Sequence, residues 1–290
     1  MTIPEVERLD AAPASFVDLH AHSTASDGSA TPDEFVESAR AAGLAAVALT
    51  DHDTLAGVPA ARAAGERVGL RIVAGVELSA VDNGREVHVL GLHIAQPEVM
   101  DERLSVFQET RRTRAAQIVS RLNGLGVPVT LDAVLTEAGE GAVGRPHVAR
   151  AVVAGGGARD VREVFDRWLG AGRPANVEKH RLTMGEGTEL IHASGGIAVL
   201  AHPGGDLARE TVRRMVGQGL DGLEVRHPSQ SPDDERRLMG HAQAFSLVVS
   251  GGSDWHGASD GLRTLGAMRV PAQWLERQED RVAAVRARAG

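Results

Sequence analysis

Short apolar, β-branched runs of strand length recur along the chain, and stretches with helical spacing separate most of them. This is the pattern of an α/β protein built on a largely parallel sheet. The first run is SFVDLH (15–20), followed by TPDEFVESARAAG (31–43). In that segment Thr31 and Glu34 are spaced as a capping box, Pro32 takes the first helical position and Gly43 closes the helix. Next come LAAVALT (44–50), a helical VPAARAAGERVG (58–69), RIVAGVEL (71–78) and EVHVLGLHI (86–94), the last two joined by a turn containing Asn83 and Gly84. Similar runs return at GIAVLAH (196–202), DGLEVRH (221–227) and SLVVSGGSD (246–254), so about seven strands are predicted.

Residues 97–176 read differently. Helical periodicity dominates, as in RLSVFQETRRTRAAQIVSRLNGLG (103–126), and no convincing strand appears. A structureless connection of that length is uncommon, so the segment is expected to be an inserted helical cap subdomain. It would split an α/β body into a first part, residues 1–96, and a second part, residues 177–290. The Arg-rich tail after Trp274 reads as a surface helix with a frayed end.

Composition narrows the chemistry. A chain of 290 residues with 42% hydrophobic content can bury a substantial core. It has no cysteine, so any metal must be held by imidazole and carboxylate. The N-terminus lacks a signal-peptide pattern and no run approaches the length of a membrane span, which predicts a cytoplasmic protein without a membrane partner. A net charge of −8 argues against a duplex nucleic acid partner, while leaving room for a small nucleotide. Nearly all basic residues are arginine, and Lys179 is the only lysine.

Candidate ligands fall where strands end. FVDLHAHSTASDG (16–28) supplies His20, His22 and Asp27. A His-x-His pair in extended chain points both rings to one face. His52 follows the second strand, Glu77 ends the third, His88 lies in the fourth, His202 ends the fifth, and Asp254 and His256 follow the seventh. In a parallel barrel the C-terminal strand ends converge on one mouth. These nine candidates are too many for one ion and suit two or three sharing a carboxylate. His93, at odd spacing from His88, should face the other way, and His180, His192 and His241 read as structural. Three Trp and five Phe are too few for a base-stacking platform.

The motifs DLHAHSTASDG, LTDHDT, GVELSA, VHVLGL, AVLAHPG and SGGSDWHG, in this order, resemble the PHP (polymerase and histidinol phosphatase) family. The likeness is nearest to the branch with nucleoside 3′,5′-bisphosphate phosphatases and a related exonuclease acting on short RNA. It implies a distorted seven-stranded β/α barrel carrying three divalent ions: manganese, with iron or zinc also allowed by the ligand set. By that resemblance His20, His22 and Asp254 hold one ion, Glu77 bridges to a second held by His88 and His202, and Asp27, His52 and His256 hold the third. Arg145 and His147, in GAVGRPHVAR, resemble cap residues that face the active site, where a guanidinium grips phosphate bidentately. Trp255 departs from the pattern, in which a smaller aromatic is expected, and bears on base packing.

Such a cluster acidifies water, neutralises phosphoryl charge and aligns nucleophile with leaving group, so a metal-activated hydroxide is the expected nucleophile. The leaving oxygen needs a proton, for which Asp51, Asp53 and His227 are candidates near strand ends. The expected reaction is conversion of a nucleoside 3′,5′-bisphosphate to the 5′-monophosphate with release of phosphate, or 5′-to-3′ cleavage of short oligoribonucleotides. Two alternatives are a metallo-amidohydrolase cleaving a C–N bond, in which Lys179 would have to bridge metals, and a non-catalytic PHP metal module.

Overall fold

The structure, a computed structural model, describes residues 15–139, 143–178, 182–258 and 261–289, with no description of the side chains at 107, 108, 288 and 289. Lys179 and His180 lie outside the described residues. The elements are, in order, β1 (Phe16–Asp18), α1 (Pro32–Ala41), β2 (Ala46–Leu49), α2 (Val58–Val68), β3 (Arg71–Asp82) and β4 (Arg85–Leu92). Helices α3 (Pro97–Gly124), α4 (Leu131–Ala138), α5 (Arg145–Ala154) and α6 (Val161–Val164) follow, the last running on as a π-helical turn, Phe165–Leu169. The chain then forms β5 (Leu182–Thr183), α7 (Met184–Ala193), β6 (Ile197–Leu200), α8 (Arg209–Gly217), β7 (Gly222–Arg226), α9 (Pro232–Phe245), β8 (Val248–Gly251), β9 (Val270–Pro271) and α10 (Ala272–Ala289).

Local signals act as the residues dictate. Thr31 and Glu34 exchange the reciprocal bonds of a capping box at the start of α1, and Gly43 takes a left-handed φ of 70° just after it. Asn83 and Gly84, with φ of 47° and 77°, turn β3 tightly into β4. The strand order is β8-β7-β6-β4-β3-β2-β1-β9, with β5 beside β3. Pairing is parallel from β1 to β3 and from β6 to β8, but β4 runs antiparallel to both β3 and β6, which distorts the barrel. Two strands exceed the predicted seven, β5 and β9, each of two residues and too short to show a hydrophobic period.

The sheet closes on itself beyond β1 and β8. Leu19 N–H donates to the Gly251 carbonyl at 3.1 Å, and Ala21 bridges to Trp255. Asp18 clasps this seam, its carboxylate accepting from the backbone N–H of Ser253 at 3.0 Å and of Gly266 at 2.9 Å. A Cβ on Gly252 would stand 2.5 Å from the Cβ and backbone nitrogen of His20, so only glycine lets the two strand extensions approach.

The barrel core joins β-strand residues such as Val76, Leu90, Val199 and Leu223 to residues of the surrounding helices. A separate cluster, including Ile118, Leu122, Val134, Val148, Val152 and Leu169, holds α3 to α6 together. The C-terminal helix departs from the expectation of a surface helix with a frayed end. Leu275, Val282 and Val285 of α10 are buried in the barrel core, Gln278 donates to the Val249 carbonyl at 2.9 Å, and Arg281 reaches Asp221 at 2.9 Å. Its arginine content masked a packed face, because the long side chains ring an apolar stripe. No described helix is long and apolar enough to cross a membrane.

Candidate metal centre

The extended chain beyond β1 carries His20 and His22, both fully buried, with ring centroids 5.2 Å apart. They lie just past the strand and not in it, yet the bridge at Ala21 keeps the alternation that turns both rings inward. All nine predicted ligands gather at this rim. Glu77 is the hub: one oxygen lies 2.8 Å from His88 Nδ1 and 2.9 Å from His202 Nε2. The other lies 3.2 Å from each of His20 Nε2, His22 Nε2 and His52 Nδ1. Asp254 reaches His22 at 3.2 Å, His20 at 3.5 Å and His256 at 3.6 Å, and Asp27 lies 3.3 Å from His256 and 3.8 Å from His52.

Several sets of ligand atoms lie within 4.8 Å of one another: His22, Asp27, His52 and His256; His20, His22 and Glu77; His52, Glu77 and His88. The partition implied by the family resemblance puts His22 with His20 and Asp254. In the structure its ring also lies 4.3 Å from that of His256 and 4.6 Å from that of His52, so it stands between two groups.

The donor set fits divalent cations. Both ring nitrogens of His22 and Nδ1 of His52 are buried without a hydrogen-bond partner, although carboxylate oxygens lie 3.2 Å from His22 Nε2 and His52 Nδ1 and 3.9 Å from His22 Nδ1. Such short contacts without hydrogen-bond alignment are what ligands around a common centre produce, since their lone pairs point at the ion. Charge tells the same story. Burial opposes ionisation of Glu77, yet His20 and His52 outweigh it and hold the carboxyl well below the usual range. Burial also pushes His22 and His88 down, but Asp254 and Glu77 around the first and Glu77 and Glu86 around the second carry both up to about 9. For His52, burial prevails and the value falls to about 4. The carboxylates thus call for positive charge, which protons supply where divalent ions are absent.

Backbone strain collects here as well. His202 (φ 28°) and Asp254 (φ 50°) are ligand candidates in the left-handed region, and Asp53 beside His52 is there too (φ 50°). Residues in that region cost free energy that the surroundings must offset, and they concentrate at functional sites.

The three candidate proton donors all have partners. Asp51 accepts from Ser23 N–H and Ser26 Oγ at 2.7 Å and from Ser23 Oγ at 2.8 Å, pinning the loop that carries Asp27. Asp53 accepts from Ser79 N–H at 2.8 Å and Ser79 Oγ at 3.1 Å, and pairs with Arg111. His227 accepts the Ser229 N–H at Nδ1 (3.1 Å), which leaves the proton on Nε2, 3.4 Å from Asp254.

Two residues escaped the sequence reading. Glu224, fully buried in β7, bonds His20 Nδ1 at 3.0 Å and accepts from the His202 N–H at 2.6 Å, so it fixes the orientation of two ligands. A charged residue inside an otherwise apolar strand was the available signal. Arg111 of α3 reaches down to Asp53, and burial lowers its guanidinium to about 10. It sits in an Arg-rich helical run where nothing distinguishes it from its solvated neighbours.

A cavity of about 200 Å³ separates this rim from the helical segment. Asp27, His52 and His88 line one side, and Arg111, Arg145 and His147 the other. Arg145 is steadied by the Leu169 carbonyl at 3.1 Å and Asn176 Oδ1 at 3.3 Å. His147 Nδ1 accepts the Gly144 N–H at 2.9 Å, which places its own proton on Nε2. Trp255 does not face this space. It is buried against Phe35 at 5.8 Å, with its indole N–H on the Ala258 carbonyl at 2.8 Å, so its bulk serves the core and not base packing. His93, His192 and His241 bond Gln278, Asp221 and the Leu207 carbonyl, away from the rim.

A set of His, Asp and Glu groups able to bind metal sits at the mouth of a distorted barrel, as in a metal-dependent phosphoester hydrolase, and the chain belongs to the PHP family. The PHP domain model matches residues 18–123. The chain is 38% identical over 252 residues to the 5′-3′ exoribonuclease Rnm of Salmonella typhimurium, covering 84% of this chain and 86% of that protein. It is 35% identical to the 3′,5′-nucleoside bisphosphate phosphatase of Chromobacterium violaceum, covering 86% and 90%. A solved structure from Bifidobacterium adolescentis, assigned to the metal-dependent phosphoesterases, superposes with a TM-score of 0.80 at 34% identity, covering 93% of this chain and 97% of that one.

Proposed function

We propose that the protein hydrolyses the P–O3′ bond of a 5′-phosphorylated nucleotide, with three divalent ions, manganese in the first instance, held by His20, His22, Asp27, His52, Glu77, His88, His202, Asp254 and His256. The observation that carries this reading is the facing of two opposite charge environments: Glu77, Asp27 and Asp254 amid imidazoles on the rim, and Arg111, Arg145 and His147 opposite them across one cavity. Residues 97–176 act as the cap of a barrel formed by 1–96 and 177–290.

Ions bound at the rim supply neutralisation of the phosphoryl oxygens and acidification of water. The chain's residues do the rest. Arg145 and Arg111 grip the 5′-phosphate, and the Nε2–H of His147 adds a donor. This holds the nucleotide with its 3′-phosphoester over the rim, so positioning is largely complete before chemistry. Asp51, Asp53 and His227 act as positioning residues through Ser23 and Ser26, Ser79, and Asp254. With a hydrogen on phosphorus's far oxygen the substrate is a nucleoside 3′,5′-bisphosphate; with a second nucleoside there it is a short oligoribonucleotide. In both, the same bond breaks and a nucleoside 5′-monophosphate leaves.

The names of the relatives support both substrates. The test is product analysis on manganese-loaded protein. Orthophosphate from a 3′,5′-bisphosphate, or 5′-mononucleotides from a 5′-phosphorylated oligoribonucleotide, is expected; release of neither overturns the assignment.

A further inference from the structure

A second cavity adjoins the rim, and none of its lining comes from residues 97–176. It has a volume of about 470 Å³, within the range of small-ligand sites. His88 and His202, whose rings lie 5.1 Å apart, form its inner edge. Its walls are largely apolar, with Val87, Leu200, Pro203, Leu207 and Met215 from β4, β6, the chain leading into α8 and α8 itself, and they also carry Asp82, Arg85, Glu86 and Asp206. His88 and Glu86 belong to both cavities, so the two meet at the predicted metal centre and not at separate surfaces.

In a nucleoside bisphosphate the 5′-phosphate goes to the cap arginines and the 3′-phosphate to the rim, so its base and ribose lie between those anchors in the cavity lined by Arg111 and Arg145, and nothing extends from the 3′-phosphorus beyond the rim. A phosphodiester differs by one substituent: the O5′-linked nucleoside that stays on phosphorus after P–O3′ cleavage. That substituent must leave the rim on a side that residues 97–176 do not line, and the second cavity adjoins the rim at His88 and His202 with none of its lining drawn from those residues. Resting on the reading above, we propose that this largely apolar cavity is a subsite for the retained, downstream nucleoside of an oligoribonucleotide.

The chemistry of the walls sets what is recognised. Aliphatic side chains cover a base or ribose face without reading base edges, so burial favours any base alike. Among its charged members, Asp206 and Glu86 can accept bonds from ribose hydroxyls, and Arg85 can meet a following phosphate. The step balances as hydrolysis: water's oxygen joins phosphorus, O3′ of the leaving nucleotide takes a proton, and the downstream nucleoside keeps its 5′-phosphate.

The experiment compares three substrates on the manganese-loaded protein: a nucleoside 3′,5′-bisphosphate, the same nucleotide with a 3′-methylphosphate diester, and a 5′-phosphorylated dinucleotide. The two diesters differ only in what occupies the cavity. We expect kcat/KM for the dinucleotide to exceed that for the methyl diester by about tenfold or more, the order contributed by apolar contacts in a pocket. Thr211→Trp, which fills the cavity from α8, should bring that ratio down towards one; Ala208→Trp does so from the turn before α8. Equal rates for the two diesters in the unsubstituted protein overturn the subsite, as does a ratio that either folded, metal-replete variant leaves in place. Cleavage of none of the three substrates sinks the proposed function instead, so the two failures are distinct.

Discussion

The barrel rim and the helical segment above it solve opposite problems. The rim collects carboxylates and imidazoles on and beyond its strands, buries His20, His22 and Glu77 among them, and braces the set with buried partners such as Glu224 and Asp51. The segment offers arginines on helices whose own core, around Leu122 and Val148, is separate from the barrel core. On the proposed reading, one half holds cations and the other an anion. The difference teaches where rigidity is needed. Ligand geometry tolerates little displacement, so it is built on strands, whereas a phosphate grip tolerates long side chains on helices.

The largest effect should come from the hub. Glu77→Gln removes the charge that five imidazoles surround and should lower kcat/KM by at least about a thousandfold, the order seen when a key electrostatic contact is lost. Elemental analysis of the variant should show loss of bound metal; a full metal complement would break the assignment of Glu77 as the bridge. Arg145→Lys should leave metal content alone and raise KM about ten- to a hundredfold, because a point charge replaces a planar fork, an effect on the order of 1.5–3 kcal/mol. An unchanged KM would remove Arg145 from the grip.

The separateness of the two cores can be tested directly. Leu122→Ala should destabilise the helical segment by about 2–5 kcal/mol, while Leu223→Ala should weaken the barrel by a similar amount. Hydrogen exchange should show the first loss confined to α3–α6 with metal retained, and the second spreading to the rim. A single cooperative loss from Leu122→Ala would show that the two halves are one unit.

The smallest effect lies far from both. Asp221, buried beneath α10, bonds His192 at 2.6 Å, the Ala198 N–H at 2.9 Å and Arg281 at 2.9 Å. Burial raises its pKa, but these donors outweigh it and leave the folded value below the ordinary 3.8. A depressed folded pKa contributes stability that is present above the unfolded value and is lost as pH falls through the folded one. Asp221→Asn should therefore melt lower than the parent at pH 7, with the gap narrowing below about pH 4, near the unfolded-state value. A gap constant from pH 7 to pH 3 would contradict the shift.

Much of the rim was legible because several candidates sit where an apolar run gives way to His, Asp or Glu, although Glu77 does not end its strand but lies inside β3, as His88 lies inside β4. His52 after LAAVALT and His202 after GIAVLA are examples. Glu224 was not, since it lies inside a strand pattern and its partners are 22 and 204 residues away. Arg111 was hidden for the reverse reason, among several arginines of similar spacing, of which it turns inward to Asp53. Strands of two residues carry no period at all, so β5 and β9 could be found only by their pairing.

The seam clasped by Asp18 has a consequence for biogenesis. The candidate ligands His20 and His22 lie against Asp254 and His256, which the ribosome adds more than 230 residues later. If the proposed residues hold the ions, the full centre can form only once the C-terminal part of the chain has been made and folded against β1.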